Sequence, residues 1–213
     1  MLNVEHWGEV SYREALARQE DYVEQVGREL RRETLIFCTH PAVVTLGRGA
    51  KSGDVFGWQG DVMEVTRGGR ATYHGPSQVV VYPIIDLNSR QRDLHRYMRF
   101  LEDSVIEVLQ SFGIAAEANA LQTEDGARDA VPATGVWINS KKVASIGIAV
   151  RRWISFHGLA LNIENDPAAF QGIKPCGFAP GSVISMEELL GEKPNRGAVE
   201  SRLQMALLKR LAL

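Results

Sequence analysis

Hydrophobic spacing along this chain switches between two periods. A period near 3.6 residues marks three stretches as amphipathic helices. In the first, Tyr12, Ala15, Leu16, Tyr22, Val23 and Val26 fall mostly on one face, and Ser11-Tyr12-Arg13-Glu14 has the form of a capping box opening a helix toward Leu30. The second stripe is Leu94, Tyr97, Met98, Leu101, Val105, Val108, Leu109 and Phe112, with Asp93 as cap and Gly113 as stop. The third runs from about Ala198 to the C-terminus on Val199, Leu203, Leu207 and Leu211. Another capping box, Ser185-Met186-Glu187-Glu188, predicts a short turn of helix.

Runs rich in β-branched residues lie between them: Thr34–Cys38, Val43–Leu46, Val62–Val65 and Val79–Ile85. Val136–Ile138 and Val143–Val150 read as a hairpin turning at Asn139-Ser140-Lys141, and Ile154–Ile163 follows as a further strand. Helices are few and strands cluster, so the expected class is α+β, a mixed sheet with flanking helices, rather than regular βαβ alternation. The polar stretch Glu117–Thr134, with Gly and Pro, predicts a long loop of the kind that is often functional or mobile.

Composition narrows the function classes. The chain has 213 residues, 45% apolar and 23% charged, an ordinary globular balance. Residues 1–213 read as one domain whose core needs no disulfide or metal staple. Twenty-four basic against 26 acidic side chains leave a net charge of −2, which does not suit a general nucleic-acid binder. The most apolar run, Val79–Ile85, is far shorter than the roughly 20 residues of a membrane span. Met1–Val10 carries acids and a Trp where a signal peptide has an apolar centre, so a cytoplasmic protein with free thiols is expected. The two cysteines, Cys38 and Cys176, belong to no CxxC pair, and no metal site is expected.

Four segments mix chemistry-bearing residues with glycine. Arg67-Gly68-Gly69-Arg70-Ala71-Thr72-Tyr73-His74-Gly75-Pro76 lies between two strands, where glycines let the backbone approach a ligand closely. It does not end in Lys-Ser or Lys-Thr, and in Gly47-Arg48-Gly49-Ala50-Lys51-Ser52 an alanine replaces the required glycine, so neither is a nucleotide phosphate loop. Cys176 sits in Lys174-Pro175-Cys176-Gly177, where glycine leaves the sulfur uncrowded. A buried, inert thiol is the plain alternative, and it suits Cys38 within an apolar strand. Lys141 and Lys142 adjoin at the hairpin; strand alternation sends neighbours to opposite faces, so one can reach solvent while the other points inward. Ser155–Asn162 combines His157 and Gly158 with an apolar strand. Each signal is weak when taken by itself.

Together they are specific. Thr45–Arg48, Arg67–Pro76, Gly135–Trp137, Lys142–Gly147, Phe156–Asn162 and Pro175–Gly177 resemble, in order and spacing, the octanoyltransferases of the lipoate pathway. The match covers about residues 35–190. One departure is Ser77, where the family usually has Gly; a positive φ there would be strained. The resemblance implies the fold shared by lipoate and biotin protein ligases. It also implies transfer of an octanoyl group from acyl carrier protein to a lysine of lipoyl domains, in 2-oxoacid dehydrogenase complexes and the glycine cleavage H protein. Cys176 matches the nucleophile that carries octanoate as a thioester, and Lys142 the lysine that favours the thiolate and handles protons. Arg67, Gly68, Gly69, Arg70, Ala71, Thr72, Tyr73 and His74, with Ser145, Ile146, Gly147, Gly158, Leu159 and Ala160, match segments lining the substrate pocket.

Thioester exchange followed by amide formation runs without ATP or metal, so no cofactor is expected, and neither a nucleic acid nor a membrane is an expected partner. A monomer is expected. Leu159, Ala160 and Ile146 are candidate walls for the acyl tail, with Gly158 leaving room. Arg48, Arg70, Arg151, Arg152 and Lys141 are candidates for a basic surface facing acidic carrier domains. The competing readings are an ATP-dependent lipoate ligase, which needs no cysteine nucleophile, and a non-catalytic module that binds carrier domains.

Overall fold

The computed structural model describes residues 2–118, 134–179 and 181–211. The chain opens with β1 (Asn3–Glu9) and α1 (Tyr12–Gly27), then β2 (Thr34–Thr39), β3 (Val43–Leu46), β4 (Asp61–Glu64), β5 (Ala71–His74) and β6 (Gln78–Ile84). Next come α2 (Leu94–Gln110), β7 (Glu117–Ala118), β8 (Gly135–Ile138), β9 (Lys141–Arg151), β10 (Ile154–Asn162), α3 (Met186–Leu190) and α4 (Arg196–Leu211). Short 3-10 turns occupy Leu87–Ser89 and Pro175–Gly177.

A seven-stranded mixed sheet runs in the order β1-β2-β6-β10-β9-β8-β7, and a three-stranded sheet in the order β4-β3-β5. One face of the large sheet buries Leu35, Val81, Ile146 and Leu159 against Leu101 and Val105 of α2 and Leu203 and Leu207 of α4. The other buries Ile36, Val80, Tyr82 and Ala160 against Ala15, Val23 and Val26 of α1. Adjacent residues of one strand thus serve opposite layers, as the two-residue period requires.

The expected elements form, with shifted ends. Ser11 caps α1 by accepting the Glu14 amide, yet the helix stops at Gly27, short of Leu30. Asp93 caps α2, whose chain reverses through Gly113 at φ 78°. Ser185 and Glu188 make both bonds of the capping box on α3. The β8–β9 hairpin turns on Asn139 and Ser140, both at positive φ, as a tight two-residue turn demands. Three strands, β1, β5 and β7, were not expected. β1 joins the sheet edge parallel to β2, and β5 is cut from the glycine-bearing stretch that had read as a loop. Of the expected Glu117–Thr134 loop, residues 119–133 lie outside the described residues; Glu117–Ala118 pairs with β8. Ser77 is not at positive φ, so serine there carries no backbone strain. No described helix is long and apolar enough to cross a membrane.

Candidate active site

Cys176 occupies the middle of the Pro175–Gly177 turn at φ 52°, ψ 20°, in the left-handed region. That conformation costs a residue with a Cβ about 1–2 kcal/mol, and such strain gathers at functional positions. The sulfur-bearing residue is half-buried. Cys38, by contrast, is 7% exposed, and burial pushes its thiol up to about 12, so it stays protonated at neutral pH.

Asp54 ties the Cys176 turn to the glycine-bearing loop. Its carbonyl accepts the Lys174 amide at 2.8 Å, two residues before Cys176. Its carboxylate, 1% exposed, accepts the Lys51 amide at 2.9 Å and forms a two-pronged ion pair with Arg70, Nε to Oδ2 at 3.1 Å. Against the opposing effect of burial, the Arg70 hydrogen bond holds the Asp54 carboxyl below its ordinary value. Arg70 is held above its own, first by Asp54, with the charge of Cys176 adding to the effect. The free edge of the guanidinium lies on Gly177. A Cβ built there would meet the guanidinium, and Gly177 stands at φ 84°, a conformation that favours glycine. Arg70 was expected in the pocket; Asp54 was not, because an aspartate in a loop gives no sequence signal of the partner it will find.

Lys141 and Lys142 divide as alternation predicts. Lys141 is exposed, and Lys142 is 3% exposed. Lys142 Nζ donates to Thr134 O at 3.0 Å and lies over the ring of Trp137 at 4.8 Å and that of Phe178 at 5.7 Å. Around Lys142 the backbone of β9 pairs with the segment after the cysteine turn. The Lys142 amide donates to Ser182 O at 2.8 Å, and Ile184 N donates to Lys142 O at 3.0 Å. Phe178, Ser182 and Ile184, all shortly after Cys176 in the chain, therefore lie around Lys142.

The three segments expected around the substrate also converge. In β9 and β10, Ser145 pairs with Ala160, Ile146 with Leu159 and Gly147 with Gly158. Gly68 N donates to Ile148 O at 2.9 Å, which seats the glycine-bearing loop on β9 beside Gly147. Ser145 and Gly147 face it, half-buried, whereas the side chains of Ile146 and Leu159 pack with α2 and α4 on the opposite face. As walls beneath that loop, Ile146 and Leu159 are therefore displaced by Ser145 and Gly147, a consequence of period-two alternation. Ala160 packs on the α1 side.

Within the loop, Arg67 is 6% exposed and its guanidinium donates to Thr45 O, Thr45 Oγ1, Gly68 O and Arg70 O at 2.7–2.9 Å. Arg67 thus fixes the path of Gly68 and Gly69. Ala71 is fully buried, and Tyr73 donates its hydroxyl to Asp166 at 3.0 Å. Thr72 Oγ1 and His74 Nδ1 are buried with no hydrogen-bond partner among the described residues.

His40, His74 and His157 form a buried aromatic cluster with Tyr12 and Tyr82. His40 Nδ1 donates to Val10 O at 2.7 Å, which leaves Nε2 to accept from Tyr82 OH at 2.8 Å. Burial lowers His40 to about 4 and His157 to about 3, the latter helped by the charge of Arg67, and it takes His74 well below its ordinary value. All three are neutral at pH 7. Among the described residues no group of His, Cys, Asp and Glu is arranged to hold a metal ion.

The two basic pairs at the sequence level also part company. Arg151 ends β9, nine residues from Lys142, which is about 30 Å along a strand, and Arg152 follows it. They pair with Glu20 and Glu24 of α1. Their charges are thus engaged by α1, while Arg48 stays exposed in the loop and its amide donates to Arg67 O.

This architecture is that of lipoate and biotin protein ligases. A putative lipoate protein ligase from T. acidophilum superposes with a TM-score of 0.70 at 17% identity, over 100% of this chain and 86% of that one. The biotin protein ligase from Aquifex aeolicus in complex with biotin and ATP gives 0.61 at 15% identity, over 99% and 70%. The family model for the lipoyl protein ligase A/B catalytic domain matches residues 11–208. An octanoyltransferase from Bdellovibrio bacteriovorus is 45% identical over 98% of both chains. The chain belongs to the lipoyl protein ligase A/B family, on its octanoyltransferase side. It is an acyltransferase working in lipoyl and octanoyl transfer.

Proposed function

We propose that the protein takes an octanoyl group from the thioester of an acyl carrier protein onto Cys176 and passes it to the lysine amine of a lipoyl domain. The observation that carries this reading is that Phe178, Ser182 and Ile184, just after the Cys176 turn, contact the buried Lys142. The Cys176 thiolate attacks the carrier thioester carbonyl, the tetrahedral intermediate expels the carrier thiolate, and that sulfur takes up a proton. In the second half the lipoyl-domain amine attacks the octanoyl-cysteine, loses its proton and releases the Cys176 thiolate. An ordinary cysteine is only about 3% ionised at pH 7, so cations beside the sulfur have a clear purpose. In this reading Arg70, which lies against Gly177, and Lys142, whose ammonium lies over Phe178, supply them. Arginine keeps its proton throughout, whereas a lysine can exchange one, which suits Lys142 to accept the proton of the incoming amine.

Neither half-reaction calls for ATP or a metal, because thioester exchange is nearly isoenergetic and amide formation runs downhill. Backbone amides near Ser145–Gly147 and in the Arg67–His74 loop are the candidate donors to the oxyanion in this reading. The acceptors in this reading are lipoyl domains, of 2-oxoacid dehydrogenases and of the glycine cleavage H protein.

Intact mass after incubation with octanoyl-carrier protein and no ATP tests the proposal. One added octanoyl group is expected on the native chain and none on Cys176→Ser. Lys142→Met should slow the loading strongly. A native chain that gains no mass, or a Cys176→Ser variant that loads normally, refutes it.

A further inference from the structure

A buried ammonium persists only where charge or dipoles compensate it. Lys142 has the Thr134 carbonyl and two ring faces as its hydrogen-bonding and cation–π partners. The peptide group that supplies that carbonyl also contains the Gly135 N–H, and this N–H donates to Glu102 Oε1 at 3.1 Å. Glu102 rises from α2 and is 2% exposed. One peptide plane therefore stands between a buried carboxylate and a buried ammonium. In a trans peptide its C=O and N–H point in opposite directions, so the carbonyl meets the cation while the N–H meets the anion. Both hydrogen bonds are charge-assisted, and each polarises the other through the shared amide.

The surroundings favour this arrangement. Gly135 stands at φ 135°, and a Cβ there would lie 2.5 Å from Ala144 O, so glycine is what lets this peptide pass so close to β9. Burial raises the Glu102 carboxyl above its ordinary value. The Gly135 amide, Arg99 (3.4 Å from Oε2) and the charge of Lys142 draw it down again, while Asp103 on the same helix opposes them.

We propose that Glu102 is the positioning residue of Lys142: acting through the Thr134–Gly135 peptide group, its carboxylate holds the ammonium over Trp137, beside the Cys176 turn. The inference rests on the acyl-transfer role given to Lys142 above. It assigns to α2, an element far from Cys176 in sequence, a part in the chemistry.

Two measurements test it. Glu102→Gln keeps the oxygen that accepts the Gly135 amide and removes only the charge. Loading of Cys176 by octanoyl-carrier protein should slow about tenfold with KM for the carrier unchanged, the difference between a charge-assisted and a neutral hydrogen bond. A merely structural role would be met by the glutamine, so a folded variant that loads at the wild-type rate overturns the proposal. The second uses no substrate and does not depend on that variant folding. The Glu102 carboxyl is titrated by 13C NMR in the wild type, Lys142→Met and Lys142→Arg. Removing the cation should raise its midpoint by about one unit, and arginine should hold it near the wild-type value. A midpoint that Lys142→Met leaves in place overturns the proposal. A wild-type enzyme that forms no octanoyl thioester would instead sink the proposed reaction, while the titration would still read the coupling.

Discussion

Three neutral histidines locked inside the fold predict a steep loss of stability on mild acidification. His40 is fully buried, His157 is 1% exposed and His74 is 6% exposed. Burial lowers His40 to about 4 and His157 to about 3, from the ordinary histidine value near 6.5. The sign follows from which state binds protons first. As the pH falls below 6.5 the unfolded chain takes up protons and the folded chain does not, so acid favours unfolding. The stabilisation is complete above 6.5 and is lost progressively as the pH drops through the window toward 4 and 3. At pH 5 each histidine has cost about 1.5 pH units at about 1.4 kcal/mol per unit, or roughly 2 kcal/mol. His40 and His157 together give about 4 kcal/mol, and His74 shifts the same way. Glu102, held high by burial, offsets a small part in the opposite sense at lower pH. Urea unfolding at pH 8.0, 6.5 and 5.0 measures this directly. The drop from pH 8 to pH 5 should approach half of a typical domain's stability, and His40→Gln should shrink it by about 2 kcal/mol. Equal urea midpoints at pH 8 and pH 5 would show that these rings are not held neutral in the folded state.

Two other perturbations separate parts of the molecule that the sequence had grouped. Asp54→Asn leaves the partly buried Arg70 without its carboxylate and should cost about 3 kcal/mol by urea unfolding; a loss under 1 kcal/mol would mean that the ion pair does not anchor the Cys176 turn. Charge reversal at Arg151 and Arg152 breaks exposed pairs with Glu20 and Glu24, so it should change stability by no more than about 1 kcal/mol and leave KM for octanoyl-carrier protein unchanged. A raised KM would return those arginines to the docking surface.

Much of the scaffold was legible because it follows from local rules. The capping residues Ser11, Asp93 and Ser185 each accept the amide expected of them. The apolar stripes of α2 and α4 became the layer beneath one face of the sheet. The strands that escaped notice lack those signals. β1, Asn3–Glu9, has exposed or half-buried side chains throughout and is strand because the edge of β2 offers it a hydrogen-bonding partner. β5 is four residues long and sits inside a glycine-bearing segment whose composition argues for a loop. In both, tertiary pairing overrides a weak local preference.

The candidate site divides along the same line. Period-two alternation required that one of Lys141 and Lys142 could point inward, and it is Lys142 that does; Cys176, between proline and glycine, was set apart from Cys38 only by the family resemblance. What no spacing could disclose is how charges are compensated across long sequence distances. Glu102 looks like one more acid on a helix whose neighbours are Arg99 and Asp103, and its burial is visible only once α2 lies against β8 and β9. Asp54 looks like a polar loop residue until its carbonyl and its carboxylate are seen to hold the Cys176 turn and Arg70 at once. A buried cation in a catalytic site needs an anion or an oriented dipole somewhere behind it. Here each of the two candidate cations has an acid buried behind it, Asp54 bound directly to Arg70 and Glu102 one peptide group from Lys142. Candidate reacting residues can therefore be read from short motifs, whereas the acids that stand behind their cations are set by the fold.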